Sequence, residues 1–357
     1  MHSRRGVELK SGNYTPLLLT EEIETVNFDY IKNLIAQKNT FVLTTHVNPD
    51  GDGLGSEIAL AHFLKKRGKQ VHILNHSATP KNYEFLDEEN EILKFEPDRD
   101  AEKILHADVM FIVDTNQANR LRSLEPFVLK SRAMKIYIDH HLDKDDFADY
   151  SLIDEPATAT GEIVYHLLTS LDPKAIDKKT AQALYTAIMT DTGSFRFPKT
   201  DPEIHRIAAH LIECGADPVE IYQHVYESWT AGRFRLLGKT LDGIQLAYGG
   251  KLAYLTVTQK MLKETETTEV ETDNFVTYAM GIHGVVMALL FIELPNGIKI
   301  SFRSKGDIPA NELAKEFGGN GHLNAAGARL FNVTLDETAP KVIEKAGIYL
   351  KEPVALG

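Results

Sequence analysis

The chain of 357 residues contains one cysteine, Cys214. It therefore has no internal disulfide framework, and a reducing compartment such as the cytoplasm is expected. Long apolar runs are also missing. The longest, VVMALLFIEL from Val285 to Leu294, is too short to span a bilayer and contains Glu293. The N-terminal MHSRRGVELK is charged and has no apolar core behind it, so no secretory signal is read there. A cytoplasmic protein without a membrane partner is expected. Basic residues are outnumbered, with Lys and Arg at 39 against 51 Asp and Glu, a net charge of -12. That balance disfavours a long duplex wrapped over the surface, which would need many cations against phosphates. A nucleic-acid partner should be short or gripped locally. No internal repeat or low-complexity tract interrupts the chain.

The hydrophobic fraction of 43% and charged fraction of 25% are those of a globular protein. The length suffices for two domains with separate cores. FVLTTH (41–46), QVHILN (70–75), DVMFIVDT (108–115) and KIYIDHH (135–141) each read as a short buried strand. GLGSEIALAHFLKKRG (53–68) has the apolar spacing of a helix, and GEIVYHLLTSL and TAQALYTAIMTD add two more. Strand and helix alternating in this way predict an α/β fold, a doubly wound, mainly parallel sheet with helices on both faces. Beyond Trp229 the pattern changes. Gly-Gly in IQLAYGGKLAYLTV and Pro-Asn-Gly in VVMALLFIELPNGIKISFRS read as hairpin turns, while ANELAKEFGG and LDETAPKVIEKAGIYL read as helices. The expected organisation is an N-terminal extension (1–20), a doubly wound domain (21–197), a helical connector (198–241) and a smaller mixed α+β domain (242–350).

Acids and histidines gather at comparable places in the doubly wound domain. His46, Asp50 and Asp52 follow the first strand in HVNPDGDG; Asp114 ends FIVDT; Asp139, His140 and His141 end KIYIDHH; Asp191 closes a helix in MTDTGSF. Taken singly, each has an ordinary reading as a turn, a helix cap or a solvated loop. An open parallel sheet binds ligands beyond the carboxyl ends of its strands, so the topology delivers most of these groups to one rim. Imidazole with several carboxylates is a donor set suited to Mn²⁺, with Mg²⁺, Co²⁺ or Zn²⁺ as substitutes. The inventory exceeds the needs of one ion and suits two, roughly 3.5–4 Å apart and sharing a carboxylate. Pro49 with Gly51, Gly53 and Gly55 is expected to make tight turns that aim Asp50 and Asp52 inward.

HVNPDGD, VDTNQANR, IDHH and MTDTGSF resemble, in that order, the four motifs of the DHH phosphoesterase superfamily, and SFRS with GGNGHLNAAG resembles its DHH-associated C-terminal domain. The resemblance covers about residues 40–330 and is greatest to the oligoribonuclease and pAp phosphatase group. It implies two Mn²⁺, one held by His46, Asp50 and Asp114, the other by Asp52, Asp114, His140 and Asp191, with Asp114 bridging. It places Asp139 behind the histidines as their orienter and His141 toward the substrate phosphate. It also implies substrate contacts from Arg120 and Asn116 near the metals, and from Ser301, Arg303, Ser304 and His322 in the last domain. Gly319 and Gly321 are expected to offer backbone N–H groups to an anion as a nest does.

The activity so implied is hydrolysis of short single-stranded RNA to 5′-mononucleotides and removal of the 3′-phosphate from pAp. The alternatives are breakdown of linear dinucleotides, a manganese pyrophosphatase, and a nucleotide-binding sensor whose metals are structural. A homodimer is compatible with the sequence.

Overall fold

The structure, a computed structural model, describes residues 28–141 and 144–350. The expected N-terminal extension lies outside the described residues. The chain divides into two compact units, Met1–Glu227 and Ser228–Gly357. The stretch expected as a connector (198–241) is shared between them: its first two helices belong to the first unit and its last to the second.

In chain order the first unit comprises α1 (Asp29–Gln37), β1 (Thr40–Thr44), α2 (Gly51–Lys66), β2 (Gln70–Asn75), β3 (Ile92–Lys94), α3 (Pro97–Leu105) and β4 (Val109–Val113). It continues with α4 (Glu125–Lys130), β5 (Met134–Asp139), β6 (Tyr150–Ile153), α5 (Thr160–Leu171), α6 (Lys178–Asp191), α7 (Pro202–Glu213) and α8 (Pro218–Tyr226). The strands form one parallel sheet in the order β3-β2-β1-β4-β5-β6. Alternate residues serve opposite faces. Phe41, Leu43, Phe111 and Val113 join the core shared with α2, α5 and α6, whereas Val42, Met110 and Ile112 join the core shared with Leu121, Leu124 and Val128. Burial on both faces is what made these strands read as continuous apolar runs. The edge strands β3 and β6 escaped the sequence reading because they are short and only partly buried.

The second unit comprises α9 (Ala231–Asp242), β7 (Gln245–Ala247), β8 (Leu252–Val257), α10 (Gln259–Thr265), α11 (Phe275–Met280), β9 (Met287–Leu294) and β10 (Gly297–Ser304). After these come α12 (Ala310–Lys315), β11 (Asn320–His322), β12 (Ala325–Phe331) and α13 (Leu335–Tyr349). Its sheet runs β11-β12-β10-β9-β8-β7 and is antiparallel except for the β8–β9 pair. Both hairpins expected at Gly-Gly and Pro-Asn-Gly are present.

GGNGHLNAAG runs into the hairpin β11–β12. Its glycines permit close approach: a Cβ on Gly319 would stand 2.3 Å from Gly327 O, and one on Gly321 2.4 Å from Ala325 O. The Gly319 N–H donates to Ala314 O and the Gly321 N–H to Asn320 Oδ1, so neither amide forms the open nest expected of it.

No helix among the described residues is long and apolar enough to cross a membrane.

Candidate metal centre

The strand order reverses direction between β1 and β4, and this switch point is where an open α/β sheet leaves a crevice. His46 lies just past β1, Asp114 directly follows β4, and Asp139 is the last residue of β5. Asp50 caps α2, its Oδ1 accepting from the Asp52 and Gly53 amides at 3.1 and 3.2 Å. Gly51, Gly53 and Gly55 are helical rather than turn residues, which corrects the tight-turn expectation. They let α2 press against its neighbours: a Cβ on Gly51 would stand 2.5 Å from Thr190 Oγ1, and one on Gly55 2.3 Å from Ala183 O. The close α2–α6 contact brings Asp191, the last residue of α6, beside the start of α2.

His46 Nε2 is 3.2 Å from Asp114 Oδ2 and 3.8 Å from Asp50 Oδ2. His140 Nε2 is 3.4 Å from Asp191 Oδ2 and 3.9 Å from both Asp52 Oδ2 and Asp114 Oδ1. In each ring Nδ1 faces a backbone carbonyl, Val47 O at 2.9 Å and Ala157 O at 3.3 Å. A carbonyl can only accept, so Nδ1 donates to it and Nε2 is the atom turned to the carboxylates, where a cation would take the place of the Nε2 proton, the arrangement of metal-ligating histidines. Asp114 offers one oxygen to each histidine. It holds this position at a left-handed φ of 56°, with its amide donating to Ile138 O at 3.0 Å, a conformation that few residues besides glycine, asparagine and aspartate adopt readily.

Three sets of ligand-competent atoms lie within 4.8 Å of one another: His46, Asp50 and Asp114; Asp52, His140 and Asp191; and Asp114, Asp139, His140 and His141.

The amides of Thr160 and Gly161, at the start of α5, donate to the two oxygens of Asp52 at 2.7 and 2.8 Å, and Thr160 Oγ1 donates to Asp114 Oδ1 at 3.2 Å. Sequence reasoning missed both residues and Ala157, because their contacts are mostly through backbone atoms, which no side-chain motif reveals. Behind the histidines, Asp139 is fully buried. Its Oδ1 accepts from His141 Nδ1 at 2.6 Å and from the His140 amide at 2.8 Å, while its Oδ2 has no hydrogen-bond partner among the described residues.

The electrostatics favour added positive charge. Burial and then the Asp114 charge push Asp191 up to about 8, and the same two causes raise Asp52 well above the carboxylate range. Burial opposes protonation of His46, but hydrogen bonds to Asp114 and Asp50 outweigh it and lift the ring to about 10. Burial lowers His140, keeping it a neutral donor. A carboxylate that holds its proton near neutrality, Asp191, beside a second raised by the same causes and imidazole nitrogens whose partners are fixed, fits a divalent cation in place of that proton.

The other expected site residues differ in fate. Arg120 lies in the 3₁₀ turn Ala118–Leu124, where its charge opposes protonation of His46 and His141. Asn116 was expected to touch substrate. It is buried, and its Nδ2 donates to His141 O at 3.0 Å, which braces the histidine loop. Ser304, also expected to touch substrate, is buried on the core side of β10, its Oγ donating to Ile308 O at 2.6 Å and accepting from Asn324 Nδ2 at 2.9 Å. Ser301 and Arg303 occupy the opposite face of that strand and are half-buried. His322 pairs with Ala325 across β11–β12.

Two family models match the chain, the DHH family N-terminal domain over residues 40–188 and the DHHA1 domain over residues 249–352. The bifunctional oligoribonuclease and PAP phosphatase NrnA of Thermus thermophilus is 31% identical over 87% of this chain and 90% of its own length. The Bacillus subtilis protein of the same name is 28% identical over 84% and 91%. Among solved structures, an exopolyphosphatase-related protein from Bacteroides fragilis superposes with a TM-score of 0.85 at 32% identity, covering 89% of this chain and 94% of that one. With the ordered motifs, the parallel-sheet domain and the mixed second domain all in agreement, the chain belongs to the DHH family, its DHH domain followed by a DHHA1 domain.

Proposed function

We propose that this protein is a divalent-metal phosphoesterase that cleaves short single-stranded oligoribonucleotides to 5′-mononucleotides and converts 3′-phosphoadenosine 5′-phosphate to AMP. The observation that carries the reading is the placement of Asp114 between two histidines, each turned to carboxylates by a fixed Nδ1. The names of the Thermus and Bacillus relatives supply the substrate class.

In this reading His46, Asp50 and Asp114 hold one cation and Asp52, Asp114, His140 and Asp191 hold another, with Mn²⁺ preferred and Mg²⁺ or Co²⁺ as substitutes. Cations there supply Lewis acidity for charge growing on the phosphoryl group and bring water toward ionisation near neutral pH. Asp139 fixes the His141 ring by its 2.6 Å bond. Burial disfavours the charged ring, but that bond and the Asp114 charge raise His141 above its ordinary value, which favours the ring as a proton donor to a departing oxygen or a bound phosphate. Arg120, Ser301 and Arg303 are the candidate phosphate contacts, a guanidinium fork being suited to paired oxygens.

The test is purified protein with Mn²⁺, given a labelled RNA ladder from dinucleotide to heptamer, pAp and pyrophosphate. RNA and pAp should turn over, and pyrophosphate should not. Asp114→Asn tolerates the left-handed backbone, since Asn is at home there, so the fold should persist while turnover falls at least about 100-fold. No hydrolysis of RNA or pAp with any divalent ion would overturn the reading, and full activity in the variant would remove Asp114 from the centre.

A further inference from the structure

The face of the second unit's sheet that carries Arg303 is covered at β9, where Ala288, Leu290 and Ile292 lie in a core, and becomes exposed toward β12 at Gly327, Arg329 and Phe331. β10 and β12 pair so that Arg303 faces Ala325, Ser301 faces Gly327, Lys299 faces Arg329 and Gly297 faces Phe331. These rungs share one side, because the intervening Ile298, Ile300, Phe302, Ala326 and Ala328 are buried in the core of the other. Ala325 and Gly327 give the first two rungs a low floor. The third carries two cations, both paired with Glu269: Lys299 Nζ stands 3.3 Å from Glu269 Oε1, and Arg329 Nη2 bonds the same oxygen. One carboxylate against two cations leaves an excess of positive charge on a protein whose overall charge is -12. At the fourth rung Phe331 is 57% exposed, a large ring left to solvent.

Residues two apart on a strand are about 6.8 Å apart, so Lys299 lies about 13 Å from Arg303 and the Phe331 rung about 20 Å. A single nucleotide held at Arg303 does not reach the far rungs; a longer strand does. We propose that this stripe is a track for the tail of a single-stranded oligonucleotide, in which Lys299 and Arg329 take a backbone phosphate and Phe331 stacks a base. The proposal rests on the phosphoesterase reading above and adds a basis for length preference. Charge complementarity and continuity with Arg303 favour this occupant, and cations alternating with an exposed aromatic ring are how sequence-tolerant single-strand binders work. Glu269 competes with the phosphate for both cations, so it should weaken the grip on long substrates.

The experiment measures KM for the dinucleotide and the pentamer in full-length protein with Mn²⁺. In the double variant Lys299→Ala/Arg329→Ala and in Phe331→Ala, the ratio of pentamer KM to dinucleotide KM should rise at least about 10-fold. In Glu269→Gln the ratio should fall. Fluorescence anisotropy of a labelled pentamer on Asp114→Asn protein reads the track without turnover, and its binding should weaken in the same order. An RNase that turns over normally with ratios unchanged in all variants would sink the track alone, leaving the phosphoesterase reading intact. Pentamer binding unaffected by the double variant, or an acidic peptide displacing the pentamer while RNA of other sequence does not, would also overturn it.

Discussion

Glu57 shows what a single buried group does to this molecule. It is fully buried on α2, its Oε2 accepting from Asn75 Nδ2 at 2.8 Å, and its Oε1 has no hydrogen-bond partner among the described residues. Asn75 in turn accepts from the amide of Thr45, the residue before His46, at 3.1 Å. Burial pushes Glu57 up to about 8 from an ordinary 4.5. The folded state keeps it protonated while the unfolded chain ionises, so its contribution is complete below the unfolded value and is lost as pH rises toward the folded one. Glu57→Gln keeps an acceptor for Asn75 and cannot titrate. Urea unfolding of the metal-free proteins at about pH 5 and about pH 8 should therefore show the variant gaining on the wild type with pH, by up to ~1.4 kcal/mol per unit. A pH-independent difference would refute this account. Nothing in the sequence pointed to Glu57, since an acid inside a helical pattern reads as a solvent-facing position until the neighbours are known.

At the level of elements, α5 matters through its first turn. The Thr160 and Gly161 amides hold both oxygens of Asp52, and the positive end of the helix favours that carboxylate. Gly161 also lies against α6, where an added Cβ would stand 2.5 Å from Ala187 Cβ. Ala is the better helix former by about 1 kcal/mol, but relief of that overlap costs ~1–3 kcal/mol, and the clash should prevail. Gly161→Ala is expected to lower stability in urea and weaken Mn²⁺ binding about 10-fold or more by calorimetry. Unchanged metal affinity would mean that these amides do not set Asp52. The helix itself was legible from its apolar spacing. Its closeness to α2 and α6 was not, because it depends on which small residues face each other across three helices.

For the whole molecule, the division into units has a direct consequence. His46, Asp50, Asp52, Asp114, Asp139, His140, His141 and Asp191 all belong to the first unit, which has its own core, while Ser301 and Arg303 belong to the second. Residues 28–227 expressed alone should bind Mn²⁺ within about 10-fold of the full chain, yet lose hydrolysis of short RNA because the proposed phosphate contacts are gone. Calorimetry and the RNA assay on the fragment check both halves, and a fragment as active as the full chain would remove the second unit from substrate handling. By itself, the sequence determined the parallel sheet, the two hairpins and the chemical identity of the donors, because buried strands, turn residues and acid–histidine motifs leave local patterns. Tertiary structure alone decided that Asp114 stands between two histidines, that Asn116 and Ser304 turn inward, that the glycines of both motifs serve close packing, and that Glu269 bridges Lys299 and Arg329. Those outcomes follow from contacts between segments far apart in the chain, and local periodicity carries no record of which segment will meet which.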